Sequence, residues 1–319
     1  MTRARPLRLV GRTAFAAAGI VLISALCAPS AMAQEDPAPG GSAGCGQAAQ
    51  EVGKSTRHEI SSGARKREFL LHLPADYDGS SALPVVLAFH GHGNNAATTE
   101  GFSKLSTLPA IVVYPEGVAN ASDGNRQSWQ GAPYAASGVD DVAFTADLLN
   151  HLQSTLCVDT ARVYATGISN GGGFTALLAC RMADRIAAIA PVAGAFDPAT
   201  STNCQPARPV PVIEFHGTAD AAIPYNGDVR DLPAIPDWVA GWAERNGCKD
   251  RAADEKIGKD VTVSAWTGCA EVRHVAVDGG GHTWPGADGD SGDGAVTQTI
   301  EAHEMIWNFL RDHQLPSAS

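Results

Sequence analysis

Gly167-Ile168-Ser169-Asn170-Gly171 decides the fold, because its flanks match what such a pentapeptide needs. Upstream, Ala161-Arg162-Val163-Tyr164-Ala165-Thr166 is a short apolar stretch that favours a strand. Downstream, Gly172 to Met182 has the composition of a buried helix. Strand, sharp turn and helix with serine at the apex make the arrangement of a nucleophile elbow. Small residues must flank the serine, because helix and strand approach closely there. The turn exposes the hydroxyl and leaves N–H groups at the helix start free to face a developing negative charge. G-x-S-x-G arises often by chance in a chain with 34 glycines. The strand before it and the helix after it are what separate it from a plain glycine turn.

Outward from the elbow, strands alternate with helices. Leu83 to Phe89 and Ala110 to Tyr114 are continuous apolar runs, closed by His90-Gly91-His92-Gly93 and Pro115-Glu116-Gly117. Such runs fit parallel strands buried on both faces. Arg67 to Leu73 reads as an edge strand, and Ile186 to Val192, Val210 to Phe215 and Glu271 to Val277 as further strands. Asp140-Asp141 caps a helix over Val142 to Thr155. Pro236 to Asn246 forms another, and a last helix is expected over Thr297 to His313. Val118 to Gly138, rich in small and polar residues, is expected to loop over the sheet edge. The alternation predicts a doubly wound, mostly parallel α/β sheet with helices on both faces.

A serine hydroxyl is a weak nucleophile at neutral pH and needs a base, itself oriented by a third group. In open parallel sheets such groups gather beyond the carboxyl ends of the strands. Asp220 follows the strand ending at Phe215 through His216-Gly217-Thr218-Ala219 and is the expected acid; Asp197 comes one element too early. Of the ten histidines, His282 alone lies in a glycine-rich loop between the last strand and the last helix. It is the expected base. Backbone N–H groups of His92 and Asn170 are the expected oxyanion donors. Trp129 and Trp284 are candidates for the wall of a substrate pocket. Asp288, Asp290 and Asp293 share a glycine-rich loop without the spacing of a calcium loop, so neither a metal nor another cofactor is implied.

The first 33 residues read as a secretory signal peptide. Arg3, Arg5, Arg8 and Arg12 precede an apolar run from Ala14 to Leu26, and Ala31-Met32-Ala33 supplies a cleavage site. Cleavage after Ala33 removes those four arginines and lowers the formal charge of −11 by four. So acidic a chain does not suit nucleic acid, whose phosphates demand a basic face, and no membrane attachment is expected after cleavage. Residues 34–44 read as a flexible lead-in, and residues 45–319 as one catalytic domain. Six cysteines remain, an even number for an oxidising compartment. Of the pairings they allow, Cys45–Cys157, Cys180–Cys204 and Cys248–Cys269 is preferred.

Four segments in order carry a resemblance: Phe89-His90-Gly91-His92-Gly93-Asn94, Ala165 to Gly172, His216 to Asp220, and Gly280-Gly281-His282-Thr283-Trp284-Pro285-Gly286. Together they resemble secreted feruloyl esterases and polyhydroxybutyrate-depolymerase-like esterases, which are α/β-hydrolases. The resemblance spans nearly all of the mature chain and implies Ser169 as nucleophile, Asp220 as acid and His282 as base. Fungal tannases and one group of feruloyl esterases place cysteines beside the catalytic serine and histidine. Ile168 and Gly281 stand there in this chain, which disfavours that group. Polyester depolymerases usually carry a linker and a polymer-binding module, whereas only a short tail follows the last helix. The expected substrates are feruloyl or acetyl esters on soluble plant cell-wall polysaccharide fragments. Polyhydroxybutyrate or short hydroxyalkanoate oligomers are the alternative. A secreted binding protein without catalysis, the reading from another class, would be marked by a missing triad member, and none is missing.

Overall fold

The computed structural model describes residues 41–48, 51–201 and 203–316. The expected signal peptide lies outside them, as do residues 34–40 of the expected lead-in. In chain order the first strands are β1 (Ser55–Ser62), β2 (Arg65–His72), β3 (Leu83–Phe89), β4 (Ile111–Pro115), β5 (Val118–Asn120) and β6 (Arg126–Ser128). Then follow β7 (Val158–Ile168), β8 (Ala188–Val192), β9 (Val212–Gly217), β10 (Asp250–Arg251), β11 (Glu255–Ile257), β12 (Val261–Thr267) and β13 (Val272–Val277). The helices are α1 (Ala96–Ser103), α2 (Asp141–Thr155), α3 (Asn170–Arg181), α4 (Pro198–Ser201), α5 (Ile235–Arg245) and α6 (Ala302–Leu310).

Eleven of the strands form one sheet, in the order β1-β2-β4-β3-β7-β8-β9-β13-β12-β10, with β11 also paired to β12. From β4 to β13 every neighbouring pair is parallel; the strands outside them are antiparallel. The apolar runs become this parallel centre because both of their faces are covered. In β3, Val85, Leu87 and Phe89 face a core shared with Phe144 of α2, Phe174 of α3 and Trp242 of α5. Val86 and Ala88 face the opposite core, with Phe102 of α1 and Ile306 and Phe309 of α6. The period of two along one strand therefore serves two layers of helices.

The structure departs from the sequence expectations at several points. Arg67 to Leu73 is not the edge, because β1 pairs along the whole of β2 on its outer side. β1 is a polar strand in which only Ile60 is buried, so it carries little apolar signal. The last helix starts at Ala302 rather than Thr297, because the Thr297 and Thr299 hydroxyls each donate to Asp260, at 2.5 Å. Val118 to Gly138 holds the β5–β6 hairpin and lies against the loop that follows the central strand β3, where Gly93 N donates to Gln127 O at 2.8 Å. Residues 41–44 are docked: Ser42 N donates to Val158 O at 3.0 Å and Gly44 N to Gln153 O at 2.9 Å.

Disulfides join Cys45 to Cys157, Cys180 to Cys204 and Cys248 to Cys269. The first closes a separation of 112 residues, worth about 4–5 kcal/mol in the loop-entropy account. The third encloses β10, β11 and β12, which extend the sheet beside β13.

Helix α3 meets the sheet at a distance only glycine permits. A Cβ on Gly171 would lie 2.2 Å from Phe89 O and 2.5 Å from His90 O, and one on Gly173 would lie 1.9 Å from Ala195 O. All of these neighbours are backbone atoms, which cannot turn aside. Gly171→Ala should therefore lower the unfolding free energy by about 3 kcal/mol or more, the upper end for overpacking. Gly241 in α5 has open space around its Cβ position, and Gly241→Ala should raise stability by about 0.5–1 kcal/mol through helix propensity. Urea unfolding of both variants checks the pair; equal effects would contradict the packing.

Candidate active site

Ser169 ends β7 and opens α3 with φ 59° and ψ −124°, a conformation that costs a non-glycine residue on the order of 1–3 kcal/mol. Hydrogen bonds hold it there from both sides. Ser169 N donates to Val192 O at 3.0 Å, and Ser169 O accepts from Gly173 N and Ala195 N, each at 2.9 Å. The hydroxyl makes no capping bond to the helix it precedes. Ser169 is partly exposed between two buried residues, Ile168 and Asn170. Such strain, held by the surrounding backbone, is a mark of functional sites.

Asp220 lies beyond β9 and His282 beyond β13, at the same carboxyl end of the sheet as Ser169; β8 separates β7 from β9. His282 Nδ1 donates to Asp220 Oδ2 at 2.7 Å, which leaves Nε2 as the ring's acceptor. Asp220 Oδ1 accepts from the N–H groups of Ala222 and Ile223, both at 2.8 Å. His216 Nε2 lies 3.3 Å from Asp220 Oδ2. Burial pushes the Asp220 carboxyl up, but the hydrogen bonds from His216 and His282 outweigh it and hold the group well below the usual carboxylate range. Asp220 thus stays ionised, as an acceptor for imidazole must.

The structure adds a buried cluster behind this pair. His216 Nδ1 faces Glu214 Oε1 at 3.0 Å, Glu214 Oε2 faces His274 Nδ1 at 2.7 Å, and His274 Nε2 faces the Tyr225 hydroxyl at 2.7 Å. Glu214 is completely buried; burial raises its carboxyl, but His216 and His274 pull it below the ordinary value. Desolvation pulls His216 down, yet its bonds to Asp220 and Glu214 prevail and its pKa is pushed up to about 10. Sequence reasoning missed Glu214 and His274 as site elements and passed over His216. Their only signal was polarity inside strands that are otherwise apolar.

Asn170 is the first residue of α3, so its N–H has no intrahelical acceptor. Its side chain clasps the next loop: Trp129 N donates to Asn170 Oδ1 at 2.7 Å and Asn170 Nδ2 to Trp129 O at 3.4 Å. The His92 N–H finds no acceptor among the described residues. The His92 ring bonds to Asp123 and stacks on Tyr134 with centroids 3.9 Å apart. His90 anchors this loop, since its Nε2 accepts from Gly117 N at 2.9 Å.

Neither tryptophan lines a pocket. Trp129 is 0% exposed, stacks on Phe174 and donates its Nε1 hydrogen to His90 O at 2.9 Å. Trp284 is 1% exposed and packs against Phe102. Both are core residues beneath the site. Asp197, the rival acid, bonds through its carbonyl to Thr200 rather than reaching a histidine. Burial raises its carboxyl to about 6. Gly131 packs against Thr200, so the loop bearing Tyr134 and the turn bearing Asp197 lie side by side. Asp288 pairs with Lys104, and Asp290 bonds to Gly292 N; among the described residues no group of three His, Cys, Asp or Glu side chains is arranged so that it could hold a metal ion.

A strained serine at a strand–helix turn, with a His–Asp pair at the same end of a largely parallel sheet, defines an α/β-hydrolase. Residues 60–266 match the family described as "Putative esterase", and the chain belongs to that family. Feruloyl esterase B of Piromyces equi is 30% identical over 78% of this chain, which spans 46% of that protein's length. "Probable feruloyl esterase C" of Aspergillus clavatus is 27% identical over 85% of this chain and 94% of its own. Among solved structures, acetyl xylan esterase from Aspergillus awamori superposes with a TM-score of 0.60 at 14% identity, over 80% of this chain and 99% of that one. The chain is thus an α/β-hydrolase of this esterase family, similar to two proteins named as feruloyl esterases.

The buried His216 makes stability depend on alkaline pH. It binds its proton more tightly folded than unfolded, so its contribution is complete below about pH 6.5 and lost as pH rises through about 10. Urea unfolding should show stability falling by on the order of a few kcal/mol between about pH 7 and 10. In His216→Gln that fall should be largely absent. An unchanged midpoint in the wild type across this range would refute the buried imidazolium.

Proposed function

We propose that the protein is a secreted serine carboxylic ester hydrolase acting on feruloyl or acetyl esters of plant cell-wall polysaccharide fragments. The observation that carries the reading is the 2.7 Å bond from His282 Nδ1 to a buried Asp220, at the sheet end where Ser169 is strained. Asp220 fixes the tautomer, and Nε2 is left to accept the Ser169 proton as Oγ attacks the ester carbonyl. The N–H groups of His92 and Asn170 receive the oxyanion. The imidazolium then returns the proton to the departing alcohol, leaving an acyl-serine. Water, deprotonated by the same imidazole, attacks that acyl group; the bond from the acyl carbon to Ser169 Oγ breaks, Oγ takes the proton back from the imidazolium, and the acid is freed.

Three disulfides and the sequence of residues 1–33 support secretion. The plant-ester reading is supported by the two feruloyl esterase relatives and their coverage of this chain. Tyr134 stacked on His92 offers an aromatic surface beside the proposed oxyanion donors, suited to the ring of an acyl group or a sugar.

Ser169→Ala should fold and lose on the order of 10⁴-fold or more in kcat on p-nitrophenyl acetate. Asp220→Asn should lose on the order of 10³–10⁴-fold with little change in KM, while Asp197→Asn should keep most activity. Steady-state kinetics on the three variants decides it; an active Ser169→Ala, or an inactive Asp197→Asn beside an active Asp220→Asn, would overturn the roles. Among methyl ferulate, acetylated xylan and hydroxybutyrate oligomers, the first two should give the higher kcat/KM. Preference for the oligomers would redirect the substrate class to polyesters.

A further inference from the structure

A serine, a histidine and an aspartate suffice for the proposed reaction, yet Glu214, His216, His274 and Tyr225 form a polar chain behind them. Glu214 and His216 are essentially fully buried, and His274 is 5% exposed. Buried ionic groups usually stabilise a fold less than well-packed apolar residues would. Their arrangement is specific. His274 is satisfied as a neutral ring, because Nδ1 can donate to Glu214 while Nε2 accepts from the Tyr225 hydroxyl. His282 is satisfied the same way, with Nδ1 on Asp220.

His216 differs from both. Its Nδ1 faces a carboxylate oxygen of Glu214 at 3.0 Å. Its Nε2 faces the Ile223 carbonyl at 2.9 Å and the Asp220 carboxylate at 3.3 Å. Every one of these is an acceptor, so a neutral tautomer would point a lone pair at oxygen on one side. Only the imidazolium, a donor at both nitrogens, fits. The Tyr225 ring lies edge-on at 6.1 Å, and Asp220 in turn bonds His282.

We propose that His216 is a positioning residue for ester hydrolysis, a buried cation clamped between Glu214 and Asp220 that fixes the acid's carboxylate and offsets its charge. The inference rests on the Ser169–His282–Asp220 reading and deepens it. Without that compensation the carboxylate would favour the protonated ring and raise the pH at which His282 can act as a base. With the His216 cation 3.3 Å from the same Oδ2, Asp220 orients His282 while its field on that ring is reduced. A positive charge on one side of the acid thus tunes a base on the other.

The pH dependence of kcat/KM on p-nitrophenyl acetate tests this, comparing the wild type with His216→Gln. The variant loses the charge while glutamine can still donate to one carboxylate. Its kinetic pKa should rise by about 1, with kcat on the alkaline plateau reduced roughly tenfold and KM little changed. An unchanged kinetic pKa in a folded variant would overturn the inference. If the variant does not fold, ¹⁵N-histidine NMR of the wild type decides: His216 should be doubly protonated at about pH 8. A neutral His216 there would equally overturn it. An active Ser169→Ala would instead sink the triad reading, a failure that the NMR result on His216 does not share.

Discussion

Everything at the site depends on how closely α3 approaches the sheet. Because Gly171 and Gly173 lack side chains, the first turn of α3 settles onto the Phe89, His90 and Ala195 backbone. That approach holds Ser169 at positive φ and sets the start of α3 against the loop after β3. The Asn170 side chain clasps Trp129, whose indole in turn holds the His90 carbonyl. A single steric constraint therefore places the serine, both proposed oxyanion donors and the loop that covers them. The conformational cost at Ser169 is offset by its N–H bond to the Val192 carbonyl and by the bonds its own carbonyl accepts from Gly173 and Ala195.

A second constraint is electrostatic and runs along β9. Glu214 and His216 point to one side of that strand, two residues apart, and Asp220 follows in the turn. β13 brings His274 against Glu214 in register and continues to the loop of His282. The parallel pairing of β9 with β13 therefore brings together the Asp220–His282 pair and the buried groups behind it. The β10–β12 strands flank β13, and the Cys248–Cys269 bridge closes the segment that contains them.

Much of this was legible in the sequence, for physical reasons that differ by element. β3 announced itself by continuous apolarity because two helical layers bury it. The elbow was legible because strand, glycines and helix all constrain the same few residues. Asp220 and His282 followed from strand-end placement, and their adjacency is present in the structure. β1 was hidden because an edge strand exposed on one face can be polar. Thr297 to Glu301 looked helical, but its threonines serve Asp260, a partner far off in sequence. The tryptophans could not be sorted between core and cleft without neighbours, and the charge of His216 depends on how the turn after β9 folds the Asp220 and Ile223 oxygens back onto its ring.

The central claim is that Ser169 carries the acyl group during turnover. Rapid acid quench during hydrolysis of p-nitrophenyl ferulate, followed by peptide mass spectrometry, measures that directly. The account predicts a feruloyl adduct on the peptide containing Ser169, formed in a burst and decaying at the turnover rate. Turnover with no covalent adduct, or an adduct on another residue, would contradict it.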